Sequence, residues 1–168
     1  LKTRIDGGTA ESNQIILVED YEYNKAQTWE FLGDRPVPVT IKGIDDTNKV
    51  KLYYNYNNSD PDSEKETNIN LHEDLIFDSI ELKLMHIYAN GYDIKICKDV
   101  VGSNIYLYGS ARTNITNQVG KIEVYGGNYA RIAGYVRSNP MVDVVGKEAN
   151  ITVGGTANVT TVIAGSAS

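Results

Sequence analysis

The sequence predicts an all-β protein, a solenoid of short coils forming one domain over residues 1–168, and three observations carry that prediction. First, a short apolar strand closed by glycine recurs as Ile105-Tyr-Leu-Tyr-Gly109, Ile132-Ala-Gly134 and Val162-Ile-Ala-Gly165. The closing glycines lie 25 and then 31 residues apart. That period belongs to folds whose repeats bury their apolar faces only by stacking on their neighbours. Second, the last two echoes each follow another strand-like run, Lys121–Gly127 and Asn150–Gly155. Third, 15 glycines against 4 prolines, with 12 tyrosines and abundant Asn, Thr and Val, favour strands joined by tight turns.

In chain order, the first strand candidates are Gln14–Glu19, Thr28–Leu32, Val37–Ile41 and Val50–Tyr54, separated by turn formers such as Gly33-Asp34 and Asp45-Asp46. Val37, Val39 and Ile41 alternate with Pro38 and Thr40. Proline cannot donate to a ladder, so Pro38 belongs at a strand start or edge. Residues 57–68 (NNSDPDSEKETN) contain no apolar residue and read as a loop, the one place for an internal boundary. Strands resume at Ile69–Leu71, Leu75–Phe77, Ile80–Leu84, His86–Ala89 and Asp93–Cys97. Period-two alternation puts Ile80, Leu82 and Leu84 on one face and Ile94 with Ile96 on another. Asn90-Gly91 fits either a hairpin turn or a corner between two faces of a coil. The spacing of the repeats favours the corner.

The length suits one domain with a real core. A formal charge of −6 argues against nucleic acid as a partner, because phosphate contacts need a basic footprint. No apolar run approaches the roughly 18 residues that span a bilayer. The single cysteine, Cys97, excludes an internal disulfide framework. The chain starts abruptly at Leu1 and stops in mid-pattern at Ser168, which reads as a piece of a longer protein.

The runs Leu71–Leu82 (LHEDLIFDSIEL) and Ile87–Ile96 (IYANGYDIKI), with the Thr-, Val- and Asn-rich Asn150–Gly165, resemble repeat regions of large adhesin-like surface proteins of anaerobic gut bacteria. The opening segment Gln14–Phe31 also looks like their usual start. That resemblance implies a single-stranded right-handed parallel β-helix of the pectate-lyase type. It further implies a secreted or cell-surface location, and carries over no catalytic residue.

Such folds host polysaccharide lyases and hydrolases, which need converging carboxylates. Asp74, Asp78, Glu81, Asp93, Glu123 and Asp143 lie in strand-rich regions, but none forms an Asp-Asp pair there, and solvated surface carboxylates explain them. Arg112, Arg131 and Arg137 could meet an acidic sugar through forked hydrogen bonds, or be interspersed surface charge. His72 and His86 have neither metal-ligand nor triad spacing, and Cys97 lacks a partner histidine. Asp60, Asp62 and Glu64 offer alternate oxygens to Ca2+, without the glycine or distal glutamate of an EF-hand loop.

Tyrosines are the feature that suggests binding. Tyr106 and Tyr108 share a strand face, and Tyr125 and Tyr129 recur in the next repeat. Such rings could stack on sugars, or on one another between coils. The expected protein is therefore a non-catalytic structural or adhesive module whose partners are glycans or other surface proteins. A polysaccharide-active enzyme and a carbohydrate-binding module are the alternatives. Open solenoid ends are also expected to self-associate.

Overall fold

The computed structural model describes residues 13–23, 27–29, 38–54, 68–110, 120–135 and 149–166. The chain runs through β1 (Gln14–Leu17), β2 (Tyr21–Tyr23), β3 (Gln27–Trp29), β4 (Val39–Gly43) and β5 (Lys51–Tyr54). It continues through β6 (Asn68–Leu71), β7 (Leu75–Asp78), β8 (Glu81–Tyr88), β9 (Ile94–Ile96) and β10 (Val101–Tyr108). Last come β11 (Ile122–Val124), β12 (Asn128–Tyr135), β13 (Ile151–Val153), β14 (Asn158–Val159) and β15 (Val162–Ser166). The described residues contain no helix. Pro38 stands immediately before β4, where its missing N–H is harmless.

Every strand pairing among the described residues is parallel. One sheet has the order β1-β4-β7-β9-β11-β13. The second runs β14-β12-β10-β8-β5-β2, with β15 on β12 and β6 bridging β3 and β8. The chain thus alternates between the sheets, adding a strand to the first and then one or two to the second. Parallel neighbours cannot be joined by a hairpin, and each crossover here is made by strands of the opposite sheet. Asn90-Gly91 joins β8 to β9 across the two sheets and is therefore a corner. Both residues have positive φ, 54° and 91°, the region that Asn and Gly tolerate best. Asn68, read as the end of a loop, instead opens β6 and is buried, while residues 57–67 of that reading lie outside the described residues; the flanking strands β5 and β6 both pair with β8.

Register follows from the alternating pattern. In the first sheet Ile15, Ile41, Phe77, Ile96, Val124 and Val153 form one inward row. Gln14, Thr40, Ile76, Lys95, Glu123 and Thr152 form an outward row. Successive members of that outward row are 26, 36, 19, 28 and 29 residues apart. The recurring phrases also lie side by side: Leu107 pairs Ile132, and Ile132 pairs Val162. Lys121–Gly127 and Asn150–Gly155 meet as β11 on β13. The inward rows of both sheets form one continuous core, where each large aliphatic side chain contributes about 1.5–3 kcal/mol.

One face assignment fails. Ile80 and Leu82 are buried, but Leu84 is only half-buried and Met85 takes the next inward place. Leu84 has φ 53°, as does Asn104, its neighbour on β10 between the pairs Ser103–Lys83 and Ile105–Met85. A left-handed residue turns the strand and resets which side chains point inward. β8 accordingly pairs β5 before the bend and β6 after it.

The corner preceding the first sheet is tied by carboxylates. Asp74 accepts the Asp93 N–H at 2.8 Å, and Asp93 accepts the Lys121 N–H at 2.8 Å. At the same corner the Asn13 amide donates to the Pro38 carbonyl at 2.9 Å. These groups satisfy backbone and side-chain polar atoms where the ladder is interrupted. One buried hydroxyl is not satisfied: that of Tyr135 finds no partner among the described residues. Such a group costs about 1–3 kcal/mol. Tyr135→Phe is therefore expected to raise the thermal unfolding midpoint. A lowered midpoint would mean that the hydroxyl is bonded.

Candidate ligand-contacting face

The second halves of β8 and β10, with β12, carry an aromatic and basic surface on the side away from the core. Period two places His86 and Tyr88 outward on β8, and Tyr106 and Tyr108 outward on β10. Register sets Tyr106 between His86 and Arg131, and Tyr108 between Tyr88 and Ala133. The His86 and Tyr106 ring centroids are 4.4 Å apart, and Tyr88 stacks on Tyr108 at 5.0 Å with planes 12° apart. His86 also meets the edge of Tyr108 at 6.4 Å.

The two rows differ in access. Tyr88, Tyr108 and Ala133 are buried in a second apolar cluster outside the main core, with Tyr106 and Ile163 partly buried against it. Burial raises the Tyr108 phenol above its ordinary value, while the charge and hydrogen bond of Arg131 act in the opposite direction. Tyr106, His86 and Arg131 are half-exposed and form the accessible edge of the cluster. This edge offers aromatic ring surface beside a guanidinium.

The other two tyrosines lie elsewhere. Tyr129 is 2% exposed, points into the core and donates its hydroxyl to the Gly126 carbonyl at 2.7 Å. The cause is a register shift: Ile105 pairs Tyr129 but Tyr106 pairs Arg131, so β12 carries one extra residue there. Tyr129 is thereby in phase with the core residue Ile105, and burial raises its phenol well above the usual range. Tyr125 is half-buried and donates to Glu123 at 3.3 Å. Lys121 contacts the same carboxylate at 3.1 Å. Its hydrogen bond holds Glu123 below the ordinary carboxylate range.

Four of the described strand-region carboxylates are engaged separately. Asp74 and Asp93 cap backbone N–H groups, Glu123 pairs with Lys121, and Asp78 accepts from Ser79 at 3.3 Å. Asp45 caps its own turn through the Thr47 N–H at 2.7 Å. His72 stacks on Tyr92 at 6.5 Å. Cys97 is half-buried, and burial with the nearby Asp78 charge pushes its thiol up, away from nucleophilic reactivity. No group of three or more metal-ligating side chains occurs among the described residues. Asp60, Asp62 and Glu64, the calcium candidates, lie outside the described residues, as do Arg112, Arg137 and Asp143.

His86 and Tyr88 are the members of this face that sequence reasoning missed. The signal was present: His86-Ile-Tyr88 has the aromatic–aliphatic–tyrosine form of Tyr106-Leu-Tyr108. No protein-family model, curated protein or solved structure matches this chain.

Proposed function

We propose that this chain is a right-handed parallel β-helix acting as a non-catalytic structural or adhesive module of a secreted or surface-attached bacterial protein, which contacts glycans through the His86–Tyr106–Arg131 edge. Support for the helix comes from the uniformly parallel pairing and the alternation of the chain between two sheets. The right hand follows from the chirality that parallel crossovers adopt in about 98% of cases. A stiff array of stacked coils suits a stalk or a display surface.

The single observation that carries the glycan reading is the outward contact of the His86 and Tyr106 rings, tilted by 56°, beside Arg131. Aromatic faces pack against sugar rings while a hydroxyl tip and a guanidinium take hydrogen bonds. The test is a glycan array probed with the 168-residue chain and with Tyr106→Ala. Loss of one stacking ring is expected to weaken binding about tenfold, the equivalent of about 1.4 kcal/mol. Tyr108→Phe keeps the buried ring and is expected to retain binding. Absence of any glycan ligand would remove this contact and leave the structural role.

A further inference from the structure

The aromatic edge is distinguished by its charge. The chain has 22 acidic residues against 16 basic ones, yet segments 68–71, 84–88, 104–108 and 128–135, which build this half of the second sheet, contain no Asp or Glu. Arg131 is their one Lys or Arg. Elsewhere opposite charges share outward cross-strand pairs: Lys42 with Asp78, Lys95 with Glu123, and Lys51 with Glu81. Arg131 has no acidic neighbour in register among the described residues. It pairs Tyr106 on one side. On the other, the chain passes through Thr160 and Thr161 between the pairs Tyr129–Val159 and Ile132–Val162.

The guanidinium is nevertheless half-buried. Its hydrogen bond goes to the Tyr108 phenol, a neutral acceptor that leaves the positive charge uncompensated. A cation held beside rings attracts an anion more strongly than one surrounded by open water does. Register puts Arg131 on the strand next to Tyr106, about 4.8 Å away. A pyranose lying on the Tyr106 ring therefore reaches the guanidinium with a substituent of its own ring.

We infer that the sugar bound at this edge is acidic, with its ring on Tyr106 and its carboxylate on the Arg131 guanidinium. The inference rests on the glycan reading above and adds the class of sugar. A planar carboxylate meets the guanidinium fork through two parallel N–H···O bonds, each about twice as strong as a bond to a neutral hydroxyl. Tyr108 engages one donor of the fork, and enough remain for that pair. The carboxylate-free strands around Arg131 let an anion approach a chain whose formal charge is −6.

The test is an array of glycans bearing hexuronate or sialic acid residues, each spotted beside its carboxylate methyl ester, with sulfated glycans as a further set. The 168-residue chain is expected to bind at least one acid form, and esterification of that glycan to weaken binding at least about tenfold. The ester alters the ligand alone, so this comparison holds whatever a substitution does to folding. Arg131→Gln, checked by circular dichroism, is expected to bring the acid form down to the level of its ester. Arg131→Lys keeps the charge without the fork and is expected to fall between. Tyr106→Ala weakens acid and ester by a similar factor, since it removes the ring that both share. Equal binding of acid and ester, a preference for sulfate over carboxylate, or an acid-to-ester ratio unchanged by Arg131→Gln would each overturn the inference while leaving the glycan reading in place. Binding to no glycan at all would overturn both.

Discussion

Phe77→Ala is expected to destabilise the protein by about 3–5 kcal/mol, the range for deleting a fully buried phenylalanine ring. Phe77 is 0% exposed, sits between Ile41 and Ile96 in the inward row, and packs against the Trp29 ring at 6.2 Å. Its neighbours above and below are held by the ladder: the Cys97 N–H, for one, donates to the Phe77 carbonyl at 2.9 Å. The walls of the resulting cavity cannot collapse without breaking such bonds, so the loss falls toward the upper part of the range. Urea titration followed by far-ultraviolet circular dichroism reads this as a lower midpoint. Ile76→Ala, on the outward side of the same strand, provides the contrast and is expected to change stability by less than about 1 kcal/mol. Equal losses at both positions would contradict the inward and outward assignment of β7.

Gly126→Ala is expected to cost at least about 3 kcal/mol, because the added methyl group would meet backbone that cannot give way. A Cβ there would lie 2.6 Å from the carbonyl oxygens of both Lys98 and Val100, and 2.8 Å from that of Cys97. Two of these carbonyls flank the turn closed by the Val100 N–H on the Cys97 carbonyl at 3.2 Å. Retreat from the methyl group would open that turn and strain the neighbouring bond from the Tyr125 N–H to the Ile96 carbonyl, 2.9 Å. At Gly154 the same substitution meets only Tyr125 ring carbons, at 3.3 and 3.4 Å, and a side chain can shift by tenths of an ångström. Gly154→Ala is therefore the matched control. Comparable losses for the two variants would refute the backbone clash as the cause.

Much of this architecture was legible because a period of two maps directly onto a two-sided strand. Val39 and Ile41, Ile94 and Ile96, and the glycine-closed phrases all fall where their alternation and spacing put them. The misassigned Leu84 shows the limit. A leucine in a left-handed conformation has no local signature, since only the stacking of β8 against β5, β6 and β10 holds it there. Tyr129 shows the same limit within the candidate face. Counting back in twos from the outward Arg131 cannot reveal the extra residue in β12 that leaves the Tyr129 ring inward. The pairing of His86 with Tyr106 needed the register between strands, which depends on the lengths of the intervening corners rather than on either strand's own residues.

Those lengths have a consequence of their own. From Ile76 to Lys95 the chain returns to the same row in 19 residues, yet from Thr40 to Ile76 it takes 36 and still arrives in register. Nineteen residues are thus enough to leave the first sheet, add a strand to the second and return in register. Segments inserted between strands can lengthen, shorten or be exchanged while the rows behind them keep their alignment. The scaffold separates what must stay constant from what can diversify, and new recognition loops can be grafted at its corners without redesigning the framework that holds them.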